Sequence, residues 1–598
     1  MRRYLGSSFW VSLSDGIAGL RDIFGEISED EEDSPEPFNQ MMPSLPLQNR
    51  RSNFVLGGFD ALSEGSEIVR DPSRAQIYAL CTIYLQRIDP VLKIVHGPSL
   101  SRHMREAKQY LDYAPGDKGV QALAFAVYYA AVTSLSDDEC RQQIGDSKQN
   151  LLGGYNLGVQ QALADADLVN TTDLVTLQAF TIFLLCVRCH ESSRFTWTMI
   201  GLAVRIAHAL SLHRDDSLTM LRPFEREMRR RLWWQISVLD VQASHDRASD
   251  PVILPGSFDT QLPLNVNDED LSFHGESPLH EREGLTGMTF CLVTFYLLAV
   301  IRQLMYVRPS TAERSSEAAQ RDLREKIALI SASRQRVEAR YLQSCDQDDP
   351  SLPAIRKAMD ICIGIMWLVV RRPLQRGGSG EVSRLQLQLE GPSNNILAQS
   401  VRVLELALEL EQIPSQQWLT RTYVQWHALA VTLAELCVQS HGPIVQRAWK
   451  AVDEIFDRSA DRVADSSGGL LWRPIKKLMR QAQLRRPGPA GTIPVATTTT
   501  AASTSPGPVT LPEQMRVDQD APAPLPRLAS LPVLLPLGPD PAVDPAPPPF
   551  EWDRDGTLGG GMSDQFLSES NEEMGSLAWT DWMAFVDDFR LEGDAMLL

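Results

Sequence analysis

The sequence predicts an all-α protein with one large helical region and flanking segments of different composition. From residue 71 to 484, apolar residues recur at spacings of three and four, the period of a helix with one buried face. Strand-like alternation is almost absent from this region, and its apolar runs are longer than ordinary strands. At 43% hydrophobic residues in 598, the chain can bury a sizeable core.

Several segments inside the helical region carry this period clearly. They are residues 75–88, 173–189, 195–212, 226–244, 334–345, 394–413 and 422–438. Two further segments, 120–136 and 287–301, contain no charged residue. Both are shorter than the roughly 20 apolar residues that a membrane span needs, so we expect core helices and no membrane association.

Residues 1–70 are predicted to be a mostly disordered linker. The stretch 26–36 contains seven acids and no base, and prolines and polar residues continue after it. Such a segment buries too little apolar surface to offset the entropy of ordering it.

Residues 485–550 are predicted to be a second disordered linker, because residues 487–550 hold 17 of the chain's 38 prolines. Proline at this density interrupts helices and removes backbone donors. Residues 551–598 form an acidic tail with twelve acids and two arginines, so the tail alone carries −10 of the formal net charge of −19.

The acidic tail contains an aromatic stripe. Trp582, Phe585, Val586 and Phe589 occupy positions i, i+3, i+4 and i+7, which lie on one face of a helix. Together with Trp579 they are the candidate coactivator-binding residues. Acids keep such aromatics soluble while the stripe binds a partner's groove, as in an activation domain. The alternative is a terminal helix that packs back on the helical region.

Catalytic and metal-binding signatures are weak, so we expect no enzyme and no cofactor. The sequence contains no phosphate-binding loop, no G-x-S-x-G and no H-E-x-x-H. Cys186, Cys189 and His190 lie together, but no second cysteine pair stands at zinc-ligand spacing, which favours core or near-core thiols. His208 and His213 are five residues apart, about 140° of helix rotation, so we expect them on different faces.

Nucleic-acid binding by overall charge is excluded by 57 basic against 76 acidic residues. A local basic run, Arg229, Arg230 and Arg231, precedes Trp233 and Trp234. Such a run could follow a phosphate backbone. Because Glu225 and Glu227 dilute its field, we favour a solvated or ion-paired helix face with buried tryptophans.

These segments resemble the middle homology domain of fungal zinc binuclear cluster (Zn₂Cys₆) transcription factors. The matching stretches follow the family's order: residues 84–99, 176–180, 196–215, 224–244, 258–271, 369–375 and 470–479. The most specific part combines the run RRRLWW, Asp240, and the stretch LPLNVND with Pro263 and Asp268. The resemblance implies structural roles for these motif residues, Arg229, Arg230, Arg231, Trp233, Trp234, Asp240, Pro263 and Asp268.

The resemblance implies a nuclear regulator, most simply an activator, of metabolic or secondary-metabolite genes. The helical region would be regulatory and the acidic tail would recruit transcriptional coactivators. A small-molecule effector and a homo- or heterodimer are compatible with it. The alternative is a ligand-sensing co-regulator that acts through a partner protein.

The sequence departs from the family in two places. The six-cysteine zinc cluster, which begins C-x₂-C-x₆-C and reads DNA, is absent, and the first cysteine is Cys81. Either an upstream exon supplies the cluster or this member lacks its own DNA reader, and we expect only weak, unselective DNA binding. After the Trp-Trp segment, residues 246–248 read DRA where the family often has Gly-Arg-Pro.

Overall fold

The computed structural model describes residues 71–190, 193–215, 221–247, 249–306, 316–376, 395–413, 417–420, 423–460 and 472–486. Within these ranges the regular structure is entirely helical, which confirms the predicted fold class. The two linkers and the acidic tail lie outside them.

Among the described residues, the first half of the helical region contains ten helices and the second half contains seven. The first ten are α1 (Arg74–Ile83), α2 (Asp89–Leu92), α3 (Gly97–Glu106), α4 (Lys118–Ser134), α5 (Asp137–Gln143), α6 (Lys148–Asp165), α7 (Leu174–Val187), α8 (Ser193–Ala209), α9 (Pro223–Arg247) and α10 (Thr289–Met305). A π-helical turn, Tyr84–Ile88, continues α1 towards α2, and short 3₁₀ turns occupy Leu168–Asn170 and Asp268–Asp270.

Seven more helices follow. They are α11 (Ser316–Val337), α12 (Leu352–Arg376), α13 (Ile396–Glu411), α14 (Gln417–Thr420), α15 (Trp426–Leu436), α16 (Pro443–Ala460) and α17 (Trp472–Leu484). A π-helical turn, Glu338–Leu342, follows α11. Each of the seven segments for which the sequence shows a clear helical period contains all or part of a helix in the structure.

Side-chain caps fix where several helices begin. Ser73 and Gln76 form a capping box at α1, and Ser136 and Glu139 form another at α5. The Asp117 carboxylate accepts from the backbone N–H of Val120 at 3.0 Å at the start of α4. Each cap satisfies backbone donors that the first turn of a helix leaves without partners.

One hydrophobic core runs from Leu80 to Ala482, and successive helices share it. Helix α4 packs on α6 and α7, α8 packs on α9, and α9 packs on α10. Helix α10 then packs on α12, α12 on α13, and α13 on both α15 and α16. Helix α9 therefore lies between the early helices and the later ones.

The two charge-free segments are core helices, as predicted. Segment 120–136 falls almost entirely in α4 and segment 287–301 in α10, and most of their side chains are buried. Among the described residues, no helix combines the length and apolarity needed to cross a bilayer.

Candidate functional site

The three consecutive arginines of α9 have three different environments. Arg229 donates to the Leu210 carbonyl at 3.0 Å, and Arg230 forms an ion pair with Asp215. Arg231 is fully buried and ion-paired on the inner side of the helix. The ion-paired interpretation is thus correct for Arg230 and Arg231, and the solvated interpretation is wrong for Arg231, whose side chain is 0% exposed.

Arg231 belongs to a buried charge network of five side chains. The charge network consists of Asp89, Lys93, Glu227, Arg231 and Asp268. Asp268 is its hub, since one carboxylate oxygen lies 2.7 Å from Arg231 Nη1 and the other lies 2.9 Å from Lys93 Nζ. Lys93 also contacts Asp89 at 2.6 Å, and Arg231 contacts Glu227 at 3.0 Å.

The charge network joins three of the segments that carry the family resemblance. Lys93 comes from residues 84–99, Arg231 from 224–244, and Asp268 from 258–271. The backbone N–H of Gly97 also donates to Asp268 at 3.1 Å, and that of Leu264 donates to Glu227 at 3.1 Å. The network therefore fixes α2, α9 and the 3₁₀ turn against one another.

The pKa directions within the charge network follow from burial and charge. Burial raises the pKa of Asp268, but the charges of Arg231 and Lys93 outweigh it and hold that pKa well below its usual range. Burial dominates at Asp89 and Glu227 and raises the pKa of each. Burial lowers the pKa of Lys93, but Asp89 and Asp268 more than reverse this effect.

The remaining motif residues on and beside α9 also have structural contacts. The buried Asp240 carboxylate accepts the backbone N–H groups of Val252 and Ile253 at 3.0 and 2.9 Å, which holds the chain that leaves α9. Trp233 and Trp234 are buried, as predicted, and Trp234 donates to the Gln261 carbonyl at 2.8 Å. Pro263 is buried in the segment that follows.

The prediction that His208 and His213 lie on different faces is wrong. The His208 and His213 rings lie 4.4 Å apart, centroid to centroid, and both contact Trp233. The helix ends at Ala209, and Ser211 has a φ of 56°, so the chain turns back before His213. The angle of about 140° assumes that the helix continues through His213, so it does not apply across that turn.

The cysteines do not fit the zinc cluster of the family. Cys186 is buried, Cys189 is half-buried, and all eight cysteines are free thiols. Burial raises the pKa of Cys81 to about 11 and that of Cys291 to about 12, which disfavours the thiolates that zinc requires. No group of three potential metal ligands occurs among the described residues.

A cavity of about 210 Å³ lies farther along the face of α9 that carries Arg231, since its lining residues Gln235, Val238 and Gln242 follow Arg231 at helical spacing. Its walls come from α9, α10, α12, α13 and the segment around Tyr423, and they are largely apolar. Polar groups gather at the α9 wall. Gln242 accepts from Arg188 at 3.2 Å and from the Tyr423 hydroxyl at 2.5 Å, while Arg188 also pairs with Asp246.

Sequence reasoning missed this core cavity. The available signal was the pair Gln235 and Gln242, which stand seven residues apart in a mostly buried part of α9 and so share one helix face. The opposite walls come from residues 358–365 and 407–411. The sequence does not show that these residues face the two glutamines. Asp246, where the family pattern departs, accepts from Arg188 and from Trp426 Nε1 and lines the cavity.

The candidate coactivator-binding residues belong to the acidic tail. Trp579, Trp582, Phe585, Val586 and Phe589 all lie outside the residues that the structure describes. Their role therefore stays a prediction.

Comparison with known proteins gives one family match and several curated relatives. Residues 81–335 match the model of the fungal specific transcription factor domain. The chain is 32% identical over 508 residues to the C6 finger domain transcription factor adaR of Aspergillus niger, covering 81% of this chain and 63% of adaR. It is 29% identical to the aurofusarin cluster transcription factor aurR2 of Gibberella zeae, covering 79% of this chain and 68% of aurR2.

A third relative is the pyriculol/pyriculariol biosynthesis cluster transcription factor 1 of Pyricularia oryzae, at 28% identity over 76% of this chain and 60% of that protein. The matched domain contains α9, the charge network and part of the core cavity wall. Residues 81–335 therefore match the fungal specific transcription factor domain, in agreement with the resemblance to the C6 finger (Zn₂Cys₆) transcription factors.

Proposed function

We propose that this protein is a non-enzymatic nuclear regulator of transcription that controls genes of fungal secondary metabolism. The observation that carries the proposal is the domain match at residues 81–335, supported by relatives named as transcription factors of biosynthesis clusters. The structure is compatible with a regulatory role, since motif residues of the matched domain form a buried scaffold around α9.

Within this proposal, the helical region at residues 71–484 is the regulatory module and the acidic tail at 551–598 activates transcription by recruiting coactivators. The support is compositional: the tail carries −10 over 48 residues, and the aromatic stripe recurs at helical spacing. Opposite charge speeds the encounter with a basic partner, and the buried aromatic face supplies affinity. The proline-rich segment at 485–550 gives the tail reach.

The test is a reporter assay with the full chain fused to an unrelated DNA-binding domain. We expect activation that falls several-fold in the triple variant Trp582→Ala, Phe585→Ala, Phe589→Ala. The control is the double variant Trp552→Ala, Phe566→Ala, which removes aromatics of the same tail outside the stripe and should retain activity. Equal activity of the triple variant and the unchanged chain would reject the aromatic-stripe mechanism.

A further inference from the structure

We propose that the core cavity is a binding site for a neutral, ring-containing small molecule that carries a hydroxyl or carbonyl oxygen. The ligand would lie between α9 and the helices α12 and α13, with its ring among apolar side chains and its oxygen towards Gln235. The role of this site as an effector site rests on the proposed transcriptional function, whereas the binding itself does not.

The size of the core cavity sets the size of the ligand. A protein cavity of about 150 Å³ lined by apolar side chains stays dry and binds benzene. The core cavity measures about 210 Å³, so it has room for one aromatic ring with a short substituent. Phe290, Phe295 and Ile361 are among the side chains that would contact the ring.

The Gln235 amide supplies the polar contact. This side chain lines the core cavity and is only 3% exposed. Within the described part of the chain, no protein group forms a hydrogen bond with its amide. Because the amide lines the cavity, a ligand hydroxyl or carbonyl there can form the hydrogen bond that no described protein group makes.

The charges around the core cavity favour a neutral ligand. Arg188 is the cation that lines it, and that guanidinium is already paired with Asp246 and bound to Gln242. Burial, and then the charge of Arg188, lower the pKa of His245 to about 4, so this imidazole is neutral at pH 7. An anionic ligand would bury a charge that no free cation compensates, which is strongly unfavourable.

The position of the core cavity connects two parts of the fold. Gln235 and Phe295 belong to the matched domain at residues 81–335, whereas Ile361 and Ala407 lie beyond it. A ligand that contacts both walls stabilises the arrangement in which they face each other. The stabilising free energy grows with the logarithm of the ratio between the ligand concentration and its dissociation constant.

Isothermal titration calorimetry on the purified full chain tests the site with three probes of similar size. The probes are 4-propylphenol, which is neutral and bears a hydroxyl, propylbenzene, which lacks the oxygen, and 4-propylbenzoate, which is anionic. We expect saturable binding of the phenol, weaker binding of propylbenzene, and no measurable binding of the benzoate. No saturable phenol binding, or benzoate binding as tight as the phenol, would overturn the proposal.

Two variants and one control variant show where the probe binds. Ala407→Leu places extra carbons into the core cavity and should abolish phenol binding, whereas Ala398→Leu, on the same helix but not lining the cavity, should bind as the unchanged chain does. Gln235→Leu should weaken phenol binding about three- to tenfold and leave propylbenzene binding unchanged, as expected for one lost hydrogen bond.

Unchanged phenol binding in Ala407→Leu would place the probe elsewhere and refute the site. Circular dichroism shows whether each variant is folded, and Gln235→Leu decides the question if Ala407→Leu is not. Because binding is measured on the purified chain, its failure is separate from a failure of the reporter assay that tests the proposed function.

Discussion

Arg231 and Asp268 form a buried ion pair across 37 residues of sequence, with Nη1 of the arginine 2.7 Å from Oδ1 of the aspartate. The arginine side chain is completely buried and that of the aspartate is 5% exposed. Removing one partner of such a pair leaves an uncompensated charge in a medium of low polarity, which is why buried pairs are costly to break.

We therefore expect Arg231→Met and Asp268→Asn each to lower the free energy of unfolding by about 3–5 kcal/mol. Urea unfolding followed by far-UV circular dichroism measures the loss. The control is Arg214→Met, since the pair of Arg214 with Asp259 is exposed to solvent and should contribute little to stability. Similar losses for the buried and the exposed pair would show that the charge network does not hold α9 in place.

Asp240 stabilises the exit from α9 through two backbone hydrogen bonds. Asp240→Ala removes the acceptor for the N–H groups of Val252 and Ile253, so we expect a loss of about 1–3 kcal/mol in the free energy of unfolding. The exposed Asp138 is the matched control, and Asp138→Ala should change stability by less than about 0.5 kcal/mol. Thermal unfolding of both variants gives the comparison, and an Asp240→Ala effect as small as the control's would contradict the assignment.

Two helix-interior glycines should respond oppositely to alanine. A Cβ at Gly364, in α12, would lie 2.4 Å from Val403 Cγ2 of α13, whereas a Cβ at Gly153, in α6, meets nothing within 4 Å. Gly364→Ala should destabilise the protein by about 1–3 kcal/mol because the two helices must move apart. Gly153→Ala should stabilise it by about 0.5–1 kcal/mol through helix propensity. Urea midpoints that shift in the same direction would refute the close α12–α13 contact.

Glu139 makes stability depend on acid pH. Its bidentate contact with Arg87, at 2.5 and 3.3 Å, lowers the pKa of the carboxyl from the ordinary 4.5 to about 2. Because the folded-state pKa is depressed, this stabilisation is complete above about pH 4.5 and is lost as the pH falls towards 2.

The variant Glu139→Gln keeps an oxygen for the capping box of α5 and removes only the charge. We expect it to be less stable than the unchanged chain at pH 6, with a difference that shrinks steadily between pH 4.5 and pH 3. Urea unfolding at several pH values measures it. A difference that does not depend on pH would exclude the ion pair as its cause.

The helices could be predicted from the sequence because their signal is local. A period of three to four in the apolar residues predicted α7, α9 and α13 at nearly their observed bounds, and the absence of charge predicted α4 and α10 as core helices. Burial of Trp233 and Trp234 followed from the same pattern. The family resemblance indicated which of these segments belong to the family's domain, and the domain match over residues 81–335 agrees with that indication.

The site depended on contacts that no local pattern encodes. Lys93 and Asp268 are 175 residues apart, and only tertiary packing, in which α3 lies against the 3₁₀ turn, brings them together. The proximity of His208 and His213 required the turn at Ser211, where the backbone leaves the helical period. The core cavity likewise exists only where α9 faces α12 and α13.

The sequence by itself determined the fold class, the buried faces of the helices and the acidic character of the tail, because hydrophobic periodicity and charge are properties of neighbouring residues. Only the tertiary structure decided that Arg231 is an internal ion-pair partner rather than a solvated base, and that Gln235 faces a cavity. Burial and pairing depend on which distant segments pack together, and those contacts are set by the folded chain as a whole.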